Sequence, residues 1–135
     1  MSPVGGETAN REAELIADLG IWNRQTNRGY TFSSSTVFKL PNGADRSPDA
    51  AWIRRERYSA LTPSQRRKFP PIAPDFVIEL RSATDDLETL HQKMQEYMDA
   101  EVQLAWLINP PTAAGGNLSP RTRRGSAKSS HRIIG

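Results

Sequence analysis

The sequence predicts a mixed α/β fold, in which helices flank the faces of a mixed β-sheet. The main observation is a strand–helix–strand succession at about residues 75–109, a βαβ unit whose two strands should be parallel. Short β-prone runs that look antiparallel precede this unit, and an amphipathic helix precedes those runs. The chain of 135 residues suits one domain with a core of modest size.

The first predicted element is a helix from about Glu7 to Gln25. Its apolar residues recur at i, i+1, i+4 and i+7, which places them on one helical face. They are Leu15, Ile16, Leu19 and Trp22. Asn27 and Gly29 follow and are suited to end the helix.

Short β-prone runs and a small helix come next. The runs are "YTF", "TVFKL" and "SPDAAWI", and the turn sequence "PNGAD" separates the second from the third. Pro48 suits the beginning of the third run because proline cannot donate to a strand ladder, and Asp49 stands at its start. Thr62 to Gln65 has the form of a helix start, with a threonine cap and a glutamine three residues later.

The βαβ unit begins with the strand "PDFVIELRS", Pro74 to Ser82. A helix is predicted from about Asp85 to Ala100, with Ser82 or Thr84 as its cap. The apolar face of this helix consists of Leu87, Leu90, Met94, Tyr97 and Met98. The second strand lies in "VQLAWLIN", which Pro110 ends.

The domain is predicted to cover residues 1–110, followed by a disordered basic tail at 111–135. The tail is rich in Gly, Ser and Arg, lacks an acid and carries five basic residues, Arg121, Arg123, Arg124, Lys128 and Arg132. Subtracting those five charges from the net charge of +3 leaves −2 for the rest of the chain. Composition therefore gives little support for a basic nucleic-acid-coating surface on the domain.

Several functional classes are excluded or disfavoured by composition. The absence of cysteine excludes disulfides, thiolate metal sites and cysteine nucleophiles. His91 and His131 are too isolated to suggest zinc, and no glycine-rich phosphate loop or dinucleotide fingerprint suggests a small-molecule cofactor. No apolar run is long enough to span a membrane, and no secretion signal is evident, so a soluble, cytoplasmic protein is expected.

Glu79 is an acid in the middle of a strand that is otherwise predicted to be buried. An unpaired carboxylate there would cost several kcal/mol. Side-chain alternation puts Glu79 on the same face as Val77 and Arg81. Asp49 opens an earlier strand, and two carboxylates on neighbouring strands can bind one hard cation such as Mg²⁺. The alternatives are an ion pair of Glu79 with Arg81 or with an arginine of "RRER", and a turn-bracing role for Asp49.

A cationic side chain would be needed beside such a site to hold water or stabilise a transition state. Arg81 is one candidate, two residues after Glu79. Lys93 is the other, because it lies roughly 40° outside Tyr97 at the edge of the packed helical stripe. Glu14 could add a distant carboxylate from the first helix, although an exposed helical acid is the simpler interpretation.

Four stretches taken together resemble the Uma-two family of restriction-endonuclease-like proteins in the PD-(D/E)XK nuclease superfamily. They are "RSPDAAWI", "PDFVIELRS", "KMQEY" and "AWLINP", and the resemblance extends from about Gly5 to Pro110. It implies a restriction-endonuclease-like mixed sheet and a Mg²⁺-dependent, or Mn²⁺-dependent, endonuclease acting on DNA. The family has further elements at both ends, so the domain is expected to be incomplete.

The resemblance also assigns roles to individual residues. Asp49 matches the first metal-binding acid and Glu79 the second, and the carbonyl of Leu80 is an additional expected ligand. The superfamily pattern has lysine two residues after the second acid, where this chain has Arg81, whose guanidinium cannot act as a base. The resemblance points to Lys93 on the following helix, which we favour over Arg81.

Two other functional classes stay open at this stage. One is an inactive remnant or nucleic-acid-binding module on the same scaffold. The other is a small protein-interaction domain, which tight homodimerisation without metal or DNA affinity would favour.

Overall fold

The computed structural model describes residues 5–82 and 84–109, so the predicted tail at 111–135 lies outside the described residues. At the centre is a mixed sheet with the strand order β1-β4-β5-β6. Its strands are β1 (Gly29–Ser33), β4 (Ala50–Arg54), β5 (Phe76–Leu80) and β6 (Leu104–Ile108). Strands β1 and β5 pair antiparallel with β4, whereas β6 pairs parallel with β5. The predicted mixed α/β fold is confirmed.

Helices and a small hairpin complete the described part of the chain. The helices are α1 (Gly6–Thr26), α2 (Arg55–Ser59), α3 (Pro63–Arg67) and α4 (Leu87–Asp99). The predicted first helix is confirmed, and it ends where Asn27 adopts the left-handed conformation at φ 52°. The predicted start of α3 is also confirmed, because Thr62 and Gln65 form a capping box. None of the helices in residues 5–82 and 84–109 is long and apolar enough to cross a membrane.

The run "TVFKL" supplies one strand of a separate two-stranded hairpin and does not join the main sheet. In it β2 (Phe38–Lys39) pairs antiparallel with β3 (Asp45–Arg46). The turn requires Gly43, whose φ is +89°, a conformation that other residues rarely adopt. Phe38 is fully buried and anchors the hairpin to the core on the α4 side of the sheet.

The βαβ unit predicted at about 75–109 is formed by β5, α4 and β6. The predicted cap of its helix was wrong, because Asp86 accepts hydrogen bonds from the backbone N–H (3.3 Å) and hydroxyl (2.7 Å) of Thr89. Ser82 and Thr84 instead hydrogen-bond each other at 3.1 Å, and Asp85 accepts from the backbone of Ser82 at 2.8 Å. The chain makes a turn after β5 before it enters α4, so the helix begins later than expected.

Two apolar clusters cover the two faces of the sheet. The larger joins α4 and the hairpin to one face, and the smaller joins α1 to the other. Along β5, Val77 belongs to the α4-side cluster and Ile78 to the α1-side cluster, as strand alternation requires. Glu79, two residues after Val77, therefore projects towards α4, on the side that the alternation predicts.

Candidate active site

The structure brings Asp49 and Glu79 together where β4 and β5 pair. Ala50 pairs with Ile78 in an antiparallel register, so the preceding Asp49 faces Glu79 across the ladder. Ala51 and Val77, two residues away from each acid, both lie in the α4-side cluster. The two acids therefore share one face of the sheet, and they are close enough for each to influence the pKa of the other.

A backbone amide holds the side chain of Asp49. Its Oδ2 accepts a hydrogen bond of 2.6 Å from the backbone N–H of Leu80. The segment before it is held by Ser47, whose hydroxyl oxygen lies 2.5 Å from the carbonyl oxygen of Ser34 and 2.7 Å from that of Thr36, so that its one proton can be donated to either. Leu80 thus contributes its amide to the site, and the ligand role expected of its carbonyl stays a prediction.

Glu79 is only 4% exposed, and helix α4 supplies two partners for its carboxyl group. The hydroxyl of Tyr97 donates to Oε2 at 2.7 Å, and Nζ of Lys93 lies 3.8 Å from Oε1. Lys93 and Tyr97 are four residues apart and so lie on one side of the helix. Together with Asp49, these contacts explain how a buried strand accommodates the acid.

The alternative partners for Glu79 lie elsewhere. Arg55, in "RRER", donates to Tyr30 at 3.2 Å and to Asn27 at 2.7 Å, and Arg57 pairs with Asp75 at 3.0 Å. This segment follows the end of β4 that is opposite to Asp49. The ion-pair hypothesis with "RRER" was therefore wrong, because a whole strand separates the groups.

Arg81 is not among the residues that line the cleft around the two acids. Its backbone N–H donates to the carbonyl of Ile108 at 2.9 Å, which continues the β5–β6 ladder. Its buried Nε has no hydrogen-bond partner within residues 5–82 and 84–109. The structure thus places Lys93, and not Arg81, beside both acids, although the catalytic role of each stays a prediction.

Burial dominates the electrostatics of the site. It raises the pKa of Glu79 to about 8; the charge of Lys93 opposes this shift and that of Asp49 adds to it. The pKa of Asp49 is also raised, first by burial, while the Leu80 amide opposes the shift and the charge of Glu12 adds to it. Burial and the neighbouring Glu79 raise the pKa of Tyr97 well above its ordinary value. In the absence of a cation, burial therefore favours the protonated form of both acids, and most strongly that of Glu79.

Glu12 of α1 is a third carboxylate that sequence reasoning missed. It lines the same cleft, accepts a hydrogen bond from the hydroxyl of Ser34 and contributes to the raised pKa of Asp49. Glu14, the α1 acid considered from sequence, is exposed. A usable signal existed, because Glu12 precedes Ile16 by four residues and so lies on the packed face of the helix.

Arg46 is a second residue that sequence reasoning missed. It lies in β3, three residues before Asp49, and forms an ion pair with Glu96 of α4. Asn42 donates to the other oxygen of Glu96 at 3.2 Å. Arg46 also lowers the pKa of Tyr97, against the dominant effect of burial, so its charge lies near the carboxyl cluster. The hairpin is thereby clamped to α4 behind the site.

The cleft has a volume of about 790 Å³ and lies between α1, the start of β4, the end of β5 and α4. Its polar lining includes Glu12, Asp49, Glu79, Asp85 and Lys93. Four of these five side chains are carboxylates, whose oxygen atoms suit a hard cation such as Mg²⁺ or Mn²⁺ as ligands. In the part of the chain that the structure describes, no three His, Asp or Glu side chains form a complete ligand set. Mg²⁺ commonly accepts one or two carboxylates and retains waters, so the paired acids fit it.

A mixed sheet flanked by helices, with two acids facing each other where its two central strands pair, fits the class of restriction-endonuclease-like folds. The sequence profile of the Uma2 family, described as "Putative restriction endonuclease", matches residues 1–115. The chain belongs to this family, and the resemblance identified from sequence is confirmed.

A solved structure supports the assignment of the fold. The chain is similar to "a putative nuclease belonging to DUF820" from Anabaena variabilis, with a TM-score of 0.65 and 13% sequence identity. The match covers 96% of this chain and 76% of that one. At this identity the likeness concerns the fold alone. No curated protein matches the chain.

Proposed function

We propose that this chain is a divalent-cation-dependent endonuclease that hydrolyses phosphodiester bonds in DNA. The family and the fold support a nuclease. The observation that carries the proposal is the meeting of Asp49 and Glu79 in one cleft with Lys93 beside them.

The carboxylates of Asp49 and Glu79 would hold Mg²⁺ or Mn²⁺, with the carbonyl of Leu80 as a further ligand. Glu12, on the α1 wall of the cleft, would add negative charge towards the cation. The cation supplies Lewis acidity towards the phosphodiester and its nucleophile. The Leu80 amide holds one oxygen of Asp49, and the second oxygen would bind the cation.

Lys93 would position the attacking water or stabilise negative charge on the pentavalent phosphate. Its ammonium group lines the cleft and is 3.8 Å from Glu79, so it lies beside the place where that charge would develop. Arg81 would have a supporting role at most, because the cleft lining does not include it.

The test is a cleavage assay of the purified chain on plasmid and single-stranded DNA with Mg²⁺ or Mn²⁺. We expect Asp49→Ala and Glu79→Ala each to reduce cleavage by roughly 100-fold or more, since each removes an acid of the cation site. Asp45→Ala is a matched control, because Asp45 is an acid on the hairpin whose partner is Lys39. Undiminished cleavage by both site variants would refute the assignment.

One observation favours a second candidate, a nucleic-acid-binding module without turnover. Arg81 occupies the position where the superfamily pattern has lysine, and its guanidinium cannot exchange a proton at neutral pH. This candidate predicts that the unmodified chain binds DNA in gel-shift assays but cleaves none at any Mg²⁺ or Mn²⁺ concentration. Saturable Mn²⁺ binding that is lost in Glu79→Gln, together with cleavage, favours the enzyme instead.

A further inference from the structure

We propose that Tyr97 is the positioning residue of this site, and that its hydroxyl holds Glu79 so that one carboxylate oxygen faces the cleft. The proposal rests on the proposed function only in that Glu79 is taken as a cation ligand. It assigns no chemical step to Tyr97, which lies behind the acid and away from any substrate.

The hydroxyl of Tyr97 is not needed to fill the core. The side chain is 1% exposed and lies in the α4-side cluster, which is otherwise largely aliphatic and aromatic. A phenylalanine ring would pack in the same space without a polar group to satisfy, and a buried hydroxyl is costly unless it is hydrogen-bonded. The hydroxyl is satisfied by the 2.7 Å bond to Oε2 of Glu79.

The two partners from α4 define which way the carboxylate points. Lys93 lines the cleft and approaches Oε1, whereas Tyr97 is absent from the cleft lining and binds Oε2 from the core side. Glu79 is therefore held with Oε2 towards the core and Oε1 towards the cleft. Hydrogen bonds from behind a ligand fix its orientation in this way in metal sites generally.

The helix that carries Tyr97 is itself anchored to the strand that leads to Asp49. Arg46 and Asn42, from the hairpin, both bind Glu96, the residue before Tyr97. Asp49 follows that hairpin by three residues. One connected set of contacts thus links the segment before Asp49 to the helix that supports Glu79, as a preorganised site requires.

The experiment compares Tyr97→Phe with Tyr58→Phe in the full chain. Tyr58 is a matched control, because it is half-buried and packs against the same cluster, with its ring 5.2 Å from that of Phe32. Binding of Mn²⁺ is measured by calorimetry and by the electron paramagnetic resonance signal of free Mn²⁺. Circular dichroism and the thermal midpoint establish that each variant is folded, and cleavage of DNA is measured separately.

We expect Tyr97→Phe to remain folded and to bind Mn²⁺ roughly 10-fold or more weakly, as is typical when a partner behind a ligand is lost. Tyr58→Phe should bind Mn²⁺ as the unmodified chain does. The KM for DNA should be unchanged in Tyr97→Phe at saturating Mn²⁺, since Tyr97 does not line the cleft. A merely structural role would lower the thermal midpoint without this selective loss of affinity.

The outcomes separate this proposal from the proposed function. Equal Mn²⁺ affinity in Tyr97→Phe and the unmodified chain overturns the positioning role while leaving the endonuclease intact. Weakened affinity in a chain that cleaves no DNA supports the positioning role and refutes the endonuclease. A Tyr97→Phe chain that unfolds at the assay temperature also counts against the proposal, because the hydroxyl would then serve the fold. An unmodified chain that does not bind Mn²⁺ overturns both.

Discussion

At the scale of single residues, the decisive feature is a carboxyl group that the fold buries and then surrounds with polar partners. Glu79 contacts Tyr97 and Lys93 and lies opposite Asp49. The two acids and Lys93 line the cleft, whereas Tyr97 lies behind Glu79 in the core. Burial alone would keep this acid neutral, while Lys93 favours its charged form. Such opposing effects on titratable groups in a cleft are typical of functional sites.

The first prediction concerns pH and stability without a cation. Glu79 holds its proton up to a pKa of about 8 in the folded chain, against an ordinary value of 4.5 in the unfolded chain. Between these two pH values the folded chain therefore binds more protons than the unfolded chain. The contribution of Glu79 to the free energy of unfolding is fully present below about pH 4.5 and is lost as the pH rises through about 8. The raised pKa of Asp49 acts in the same direction.

In EDTA, urea unfolding should therefore show a free energy of unfolding that falls between about pH 4.5 and 8, by roughly 1 kcal/mol per pH unit at the steepest. The variant Glu79→Gln cannot ionise and should lose most of this slope. The same slope in both proteins would contradict the assignment of the titration to Glu79.

The second prediction separates Lys93 from Arg81. Lys93→Met removes the ammonium group beside the acids and should lower kcat for DNA cleavage by about 100-fold. Arg81→Met should lower it less than about tenfold, because Arg81 does not line the cleft. Lys39→Met, at an exposed ion pair on the hairpin, is the control. A larger loss of kcat in Arg81→Met than in Lys93→Met would show that Arg81 is the principal cationic side chain of the site.

The third prediction tests the carboxylate that helix α1 contributes. Glu12→Gln removes a negative charge that acts on Asp49, so Mn²⁺ affinity should fall roughly threefold to tenfold. Glu14→Gln makes the same chemical change at an exposed position two residues further along the helix and should leave the affinity unchanged. Calorimetric titration measures the Mn²⁺ affinity of both variants. Equal affinities would show that Glu12 does not contribute to the cation site.

At the scale of elements, the site depends on the register of β4. Ala50, the first residue of β4, pairs with Ile78 of β5, and this register places Asp49 opposite Glu79. On its other side β4 pairs with β1. Gly29 of β1 stands opposite Arg54 at the end of that second ladder. Close packing at this point helps to hold β4, and therefore Asp49, in register.

The fourth prediction follows from the packing around Gly29. A Cβ at this position would lie 2.3 Å from the carbonyl oxygen of Ile53 and 2.5 Å from the ring of Trp52, closer than atoms can approach. Gly29→Ala should therefore cost about 3 kcal/mol of the free energy of unfolding. Gly20→Ala, in α1 where no atom lies within 4 Å of the new carbon, should instead add about 0.5–1 kcal/mol. Denaturant unfolding of the two variants checks the contrast, and similar effects would contradict it.

At the scale of the whole molecule, the family match ends at residue 115, whereas positive charge is concentrated beyond it. Residues 116–135 carry five basic side chains and no acid. The rest of the chain is net negative, and the cleft itself is lined with carboxylates. Attraction to the phosphate backbone is therefore expected to depend on the basic segment and catalysis on the sheet.

The fifth prediction divides these two contributions. A chain ending at residue 115 loses five positive charges, so its affinity for labelled DNA in low salt should fall and its salt dependence should weaken. Its thermal midpoint and Mn²⁺ affinity should match those of the full chain, because both acids and their partners lie before residue 110. Fluorescence anisotropy at several salt concentrations measures the first effect. A loss of Mn²⁺ affinity in the shortened chain would contradict the division.

The order of the elements and the face on which Glu79 lies followed from local patterns, whereas the pairing of Asp49 with Glu79 was a hypothesis that the family resemblance supported. Alternation along β5 put Glu79 on the face of Val77, and the strand–helix–strand succession required a parallel pair. The start of β4 beside Asp49 could be predicted because Pro48 and Asp49 precede an apolar run. Each of these inferences uses only residues that are close together in the chain, because apolar periodicity and backbone propensity are local properties of the sequence.

Tertiary structure decided most of the partners that surround the acids. Lys93 was favoured from sequence through a family resemblance, but Glu12 and Arg46 came from a helix and a hairpin whose docking on the sheet no local pattern specifies. Arg81 was expected on the same strand face as Glu79, but it follows the last residue of β5 and does not line the cleft. Local propensity fixes the direction in which a side chain leaves its own element. Which groups meet there depends on packing between elements that are distant along the chain.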